Sequence, residues 1–544
     1  MKRLLTLLLA ALMLCTAALS EDFDFFFLNY PKADSGECIV NDVVFHEDGG
    51  VSDNNRVFYE IFVGSFSDSN GDGIGDLRGI INRMDYLNDG NPESGLSLGV
   101  EGIWLTPIFK SPSYHKYDVT DFYAIDPDFG TMDDLKELIA LCHERDVKLI
   151  IDLPINHTST ECRWFKNFTN AHLMNNTRND YYNFYTWLNA DDPIPAGRHF
   201  ARVAGRDLLY EGNFSDVMPE PDYDNPFVRE TMLKVALHYL ELGVDGFRFD
   251  AAKYIYYGDH EASAAFWDWY IGELRKVKPD VYTVAEVWDG DGVVDQYLPV
   301  TNCFNFTTSQ TSGLIAETAK GGDVNRFTAY IQRYIDHLAG MNPDAMNILF
   351  IANHDTDRAA GYLTVASGNM MTAASLYLLS PGSPFIYYGE EIGVRGSRGG
   401  ANTDANRRLA MLWGDGDTIA NPEGTTYQAS KQTTSTVASM KGSAMSLLNH
   451  YKKLIMIRKA NPEIARGEYK ALTVPDSKAG GFTCTWNGST VAVLHNTTQR
   501  DMVIDLAGVT DISFSQVSAY AGAGFATLEG TTLTLSAQTS VVLR

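Results

Sequence analysis

Four short stretches of the sequence end an apolar run in ionisable side chains: Asp152-Leu-Pro-Ile-Asn156-His157, Arg248-Phe-Asp250, Ala285-Glu286 and Asn353-His354-Asp355. One Asp in such a place is equally well explained as a helix cap. Four coincident clusters are not. Two carboxylates with a third nearby suit cleavage of a glycosidic bond, in which one attacks the sugar and another protonates the leaving oxygen. Asp250 lies two residues beyond Arg248 on the same strand face, where an adjacent cation keeps a carboxylate ionised as a nucleophile must be. Glu286 precedes apolar Val287 and Trp288, which favour a raised pKa and a proton donor. On neighbouring strands ~4.8 Å apart, the two carboxyls can approach to about 5–5.5 Å, the separation of retaining enzymes.

These residues need a scaffold that gathers strand ends. Eight apolar, strand-like runs are present: Val57 to Val63, Gly102 to Leu105, Lys148 to Leu153, Val244 to Phe249, Val281 to Ala285, Asn302 to Phe306, Asn347 to Ala352 and Pro384 to Tyr388. Between them, stretches such as Met132 to Arg145, Pro226 to Leu242 and His260 to Lys276 carry helical apolar spacing, with Asp or Pro near their starts. Eight strand–helix units predict an α/β fold, a closed (β/α)8 barrel whose chemistry sits at the C-terminal strand ends. The third crossover is too long for a loop and predicts an inserted domain. From about Gly467 the chain turns to Thr, Ser, Val and Gly with two-residue alternation, which predicts a separate antiparallel β-domain. The expected division is a leader at 1–20, an extension at 21–50, the barrel at 51–156 and 219–462, the insertion at 157–218 and the β-domain at 467–544.

The 544 residues carry a net charge of −26, a field that repels nucleic acid and anionic membrane surfaces and favours a neutral partner. With 45% apolar, 12% aromatic and 21% charged residues, the chain is core-forming rather than disordered. Lys2 and Arg3 precede an apolar run from Leu4 to Leu14, too short to cross a bilayer, and Ala18-Leu19-Ser20 is a small-x-small cleavage site. This predicts export, with lipid attachment through Cys15 as the alternative. The other cysteines, Cys38, Cys142, Cys162, Cys303 and Cys484, form neither a disulfide framework nor a metal knuckle by spacing. No later run is long enough for a transmembrane helix.

The clusters at Asp152 to His157, Gly243 to Tyr254, Val284 to Trp288 and Phe350 to Asp355, with Met218 to Pro226 (MPEPDYDNP), resemble the conserved blocks of the α-amylase family of glycoside hydrolases, family thirteen. The resemblance runs from about Val57 to the C-terminus. It implies Asp250 as nucleophile, Glu286 as acid/base and Asp355 as the carboxylate that holds sugar hydroxyls at the cleavage subsite. It also implies that His157, His354 and Arg248 bind or support substrate and that Tyr117 is the platform under the distorted sugar. The insertion would be the family's domain B and the tail its domain C. Ala251 and Lys253, after the nucleophile, match α-1,4-cleaving members, whereas Tyr254 and Pro219-Glu220-Pro221-Asp222 depart from the usual pattern. The implied substrate is an α-glucan. Asp118 and Arg408 match a pair that closes the sugar-binding end in oligosaccharide-trimming relatives, so their pairing would imply an exo-acting α-glucosidase or transglucosylase. Non-catalytic transporter-associated relatives lose the carboxylates that this chain retains.

After the first strand, Asp68, Asn70, Asp72, Ile74 and Asp76 alternate oxygen donors around Gly73, as in the first half of an EF-hand loop. Position twelve is Gly79 rather than Glu, so the loop is no EF-hand. Relatives in the oligoglucosidase and neopullulanase branches carry a similar calcium loop, which implies structural Ca²⁺. The alternative is an unliganded Gly-Asp turn.

Overall fold

The computed structural model describes residues 30–45, 53–399 and 403–544. The expected leader with Cys15, residues 21–29 and 46–50 of the extension, and residues 51–52 lie outside the described residues.

Seven strands form one parallel sheet in the spatial order Asn302–Cys303, Tyr282–Ala285, Gly246–Phe249, Lys148–Leu153, Gly102–Leu105, Phe58–Ile61, Phe385–Tyr387. The segment expected as strand seven, 347–352, lies between the sheet's two edges. Ile348 bridges Phe304 in parallel, and the Ser383 and Phe385 N–H groups donate to the carbonyls of Asn347 and Leu349. This closes the sheet into a barrel. The segment is shorter as a strand than expected: its pairing is one isolated bridge to Phe304 and single bonds from the neighbouring Ser383 and Phe385 N–H groups.

Alternation along the strands explains the interior. Phe58, Trp104, Ile150, Tyr282, Val284, Phe304, Ile348, Phe350 and Phe385 form one buried cluster, with the Phe58 and Phe385 rings stacked at 4.7 Å. Side chains two or four residues further toward the strand ends share that face, and these are Glu60, Asp152 and Glu286. Gly246 is required where the fourth strand meets the fifth, since a Cβ there would lie 1.9 Å from the Tyr282 carbonyl oxygen.

Helices cover the outside and start where the sequence predicts. Thr131 and Asp134 form a capping box for Met132–Glu144, Asn225 caps Pro226–Leu242 with Pro at its first position, and Asp259 caps His260–Val277. Between the third strand and Pro226, the chain forms the helix Arg163–Leu173 and a three-stranded antiparallel sheet of Trp187–Asn189, Leu208–Glu211 and Phe200–Arg202. The bridge from Tyr185 to Pro221 carries this layer on through residue 221. The C-terminal part is antiparallel throughout: a five-stranded sheet including Ala479–Trp486 and Ser489–Asn496, and a three-stranded sheet. The N-terminal piece is pinned to the body by Lys441–Glu37 at 2.7 Å and Lys453–Asp42 at 2.5 Å. Cys38, Cys142, Cys162, Cys303 and Cys484 are all free thiols and buried. Among the described residues, no helix is long and apolar enough to cross a membrane.

Candidate active site

A cleft of about 1000 Å³ opens at the C-terminal ends of the barrel strands. Asp250, Glu286, Asp355, Tyr117, Asp118, His157, Lys253 and Arg408 all line it. Arg248 and His354 are fully buried beneath them. A second cleft of about 930 Å³, near Asn342 and Trp486, contains none of these carboxylates.

Strand register sets the central pair. Arg248 is level with Val284 and Phe249 with Ala285, so Asp250 and Glu286 leave adjacent strands side by side. Arg248 then ties three carboxylates together. One terminal nitrogen donates to Asp152 at 2.8 and 3.0 Å and to Asp250 at 2.6 Å, and the other donates to Glu286 at 2.6 Å. The chain turns sharply after Asp250: Ala251 is left-handed, with φ 41° and ψ 46°, a sparsely populated conformation for a residue with a Cβ. That turn aims the Ala251 N–H at Glu286 Oε2, 3.0 Å away.

Burial raises the pKa of Glu286 and of Asp250, against the lowering influence of Arg248. Asp355 is the opposite case. Burial is outweighed by His354 and Arg408, and the carboxyl is held well below its usual range. His354 Nε2 is 3.0 Å from Asp355 Oδ2, and Arg408 donates to Asp355 Oδ1 at 2.7 Å. Burial disfavours charge on His354, but Asp355 and Glu60 prevail and lift its pKa to about 10. The Tyr117 hydroxyl donates to Asp152 at 2.9 Å and lies 2.7 Å from His354 Nε2, with the Tyr117 and His354 rings stacked. His157 contacts the Tyr117 carbonyl through Nε2 at 3.1 Å, and burial lowers its pKa to about 4, leaving a neutral ring at the cleft wall.

Two expectations need correction or detail. Arg408 pairs with Asp355 rather than Asp118: its Nε is also fixed to the His354 carbonyl, and Asp118 accepts instead from the hydroxyls of Ser111 and Ser113. Lys253 borders the cleft but is tethered to the Trp288 carbonyl and Asp289, both at 2.8 Å. Sequence reasoning missed the apolar rim. Trp288, 40% exposed, stacks on Phe306 at 4.9 Å, and Phe214 and Val217 from the inserted layer line the same cleft. Phe214 and Val217 carry no spacing signal because they reach the cleft through the irregular insertion.

The loop at Asp68 to Asp76 is folded by its own side chains. Asp68 accepts from the N–H groups of Asn70, Gly71 and Gly73, Asn70 from Asp72, and Asp72 from Ile74. Gly73, at φ 88°, lets the chain turn tightly enough for this. Asp76 caps the helix Leu77–Asn82 and accepts from Ser69. Both Asp68 oxygens and Asp76 Oδ2 already accept two hydrogen bonds each, Thr418 and Ser69 hydroxyls included, while three carboxylates, an amide oxygen and the Ile74 carbonyl are the hard donor types that Ca²⁺ takes. The donor types suit the ion, but among the described residues no three His, Cys, Asp or Glu side chains group as a metal centre.

The family model for the alpha amylase catalytic domain matches residues 60–467. Alpha-amylase 3 of Dictyoglomus thermophilum is 33% identical over 456 residues, covering 81% of this chain and 84% of its own. Oligo-1,6-glucosidase of Bacillus cereus is 28% identical, covering 85% and 93%. Among solved structures, Amy13B of Eubacterium rectale superposes with a TM-score of 0.83 at 31% identity, over 92% of this chain and 97% of that one. On this match, and with a strand-end carboxylate cluster in a closed parallel barrel, the chain belongs to the alpha-amylase family of glycoside hydrolases.

Proposed function

We propose that the protein is a secreted, retaining α-glucan hydrolase that cleaves α-1,4-glucosidic bonds in starch, glycogen or maltodextrins. The observation that carries this reading is Arg248, which holds Asp250 and Glu286 side by side at the cleft floor, each at 2.6 Å. In the first step an Asp250 oxygen attacks the anomeric carbon while Glu286 gives its proton to the glycosidic oxygen. The carbon–oxygen bond breaks, the cut chain leaves as an alcohol, and the sugar stays as an ester of Asp250. Glu286, now a carboxylate, takes a proton from water as that water attacks the same carbon and frees Asp250. Two inversions return the original configuration. Asp355, kept ionised by His354 and Arg408, accepts from sugar hydroxyls, and Tyr117 offers its ring face to the sugar.

Ala251 and Lys253 support α-1,4 rather than α-1,6 cleavage, and the relative named alpha-amylase supports the same choice. The exo-acting reading rested on an Asp118–Arg408 pair that is replaced by Arg408–Asp355. The basic, apolar and small-residue order of positions 2–20 supports export. Asp68, Asn70, Asp72, Ile74 and Asp76 would hold a structural Ca²⁺ that rigidifies their loop. Digestion of maltoheptaose followed by proton NMR tests the reading. The first reducing ends released should be α-anomers and come from internal bonds; β-anomers first, or cleavage of isomaltose without starch, overturns it. Asp250→Ala, folded by its melting temperature, should lose turnover by roughly 10⁴-fold or more.

A further inference from the structure

We propose that Glu60, on the first strand, is a positioning residue for the cleavage step: its carboxylate orients His354 so that both ring nitrogens donate, one to Glu60 and one to Asp355. The inference rests on the glucan-hydrolase reading of the cleft. Glu60 is the one carboxylate in the run Val57 to Val63 and is 1% exposed. It shares the inward face with Phe58, two residues earlier. Its Oε1 lies 2.5 Å from His354 Nδ1 and also accepts the His354 backbone N–H at 3.3 Å. The other ring nitrogen is 3.0 Å from Asp355 Oδ2.

A neutral imidazole has one donor and one acceptor, so it would turn a lone pair toward one of the two carboxylates. Only the imidazolium satisfies both. The remaining groups around the ring are Tyr117, whose hydroxyl is 2.7 Å from Nε2, and the Trp104 ring edge on the second strand. Asp152 and Asp250 add negative charge from the third and fourth strands, and Arg248 and Arg408 add positive charge. The backbone contact matters for a second reason. His354 follows a barrel segment whose pairing is one isolated bridge and a few single bonds rather than a continuous ladder, and the Glu60 contact to its N–H adds an anchor from the first strand. Glu60 itself touches no substrate. It acts through His354 on Asp355, the carboxylate that must face the sugar hydroxyls as an ionised acceptor.

The test has an arm that does not depend on activity. In wild-type protein with ¹⁵N-labelled histidine, assigned through His354→Gln, both ring nitrogens of His354 should remain protonated at pH 8. A neutral ring at pH 7 overturns the proposal. In Glu60→Gln, which keeps an acceptor but loses the charge, the ring should deprotonate at least ~1 pH unit lower, the smallest shift expected when a charge at contact is removed. The alkaline limb of kcat for maltoheptaose should move down with it, with kcat falling more than KM rises. A Glu60→Gln protein with a lower melting temperature and an unmoved limb would show a structural role only and overturn the proposal. Failure of the glucan reading is seen separately, as wild-type protein that turns over no α-glucan.

Discussion

Replacing Arg248 by Met removes the cation that three buried carboxylates share, at similar side-chain length and without a new polar group. Arg248 makes four charge-assisted contacts of 2.6 to 3.0 Å and its side chain is 1% exposed. Removing one partner of a buried ion pair costs about 3–5 kcal/mol, because the remaining charge is left uncompensated. Three carboxylates are orphaned here, but they repel one another and take up protons, which caps the loss near that range. With ~2.1 cal/mol/K of unfolding entropy per residue, a barrel-sized unit converts this to a fall of about 4–7 °C in melting temperature. The pH dependence is the sharper signature. Burial already raises these carboxyls against the opposing influence of Arg248; without Arg248 they rise further, so the folded state binds more protons and more stability is lost as pH rises. The gap between wild type and Arg248→Met, read by calorimetry from pH 5 to pH 8, should widen with pH. Activity should fall by roughly 10²–10³-fold or more, the cost of losing a preorganised donor at the reacting groups. A gap that is constant or narrows toward pH 8 would refute the charge-sharing argument.

Calcium should raise the melting temperature, and at a hundredfold excess over Kd the gain is about 2.7 kcal/mol. Chelator should reverse it, and in Asp72→Ala neither should have an effect; wild-type protein indifferent to both excludes the site. Glu390, whose Oε1 accepts from Tyr377 and Tyr451 at 2.7 and 2.6 Å, is pushed up to about 8 by burial, with Glu391 adding to the rise and the two hydroxyls opposing it. An unfolded Glu releases its proton near 4.5, so stability from this group is present below that value and is lost as pH climbs toward 8. Glu390→Gln should flatten the fall in melting temperature between pH 5 and pH 8, and an unchanged slope counts against a protonated Glu390. Trp288→Ala should raise KM for maltoheptaose by about 3- to 10-fold with kcat little changed, the worth of one stacking face; an unaltered KM removes Trp288 from the binding rim.

What was legible in the sequence follows from how local each signal is. Asp250 and Glu286 stand at the ends of short apolar runs, and a parallel barrel makes every such end converge on one face, so fold and site were readable from the same pattern. Strand seven was only partly so. Its apolar run records burial, while its pairing depends on bonds from Phe385 and Ser383, which no local pattern encodes. The partner of Arg408 was misjudged for a related reason. Asp118 was the partner the family resemblance offered, and what selects Asp355 is the anchoring of the Arg408 Nε on the His354 carbonyl, a contact across 54 positions. Glu60 was readable yet easily passed over. A carboxylate inside the run Phe58-Tyr-Glu-Ile-Phe62 either faces outward with Tyr59 or violates the burial pattern, and its spacing from Phe58 places it inward, where only a buried cation such as His354 can compensate it.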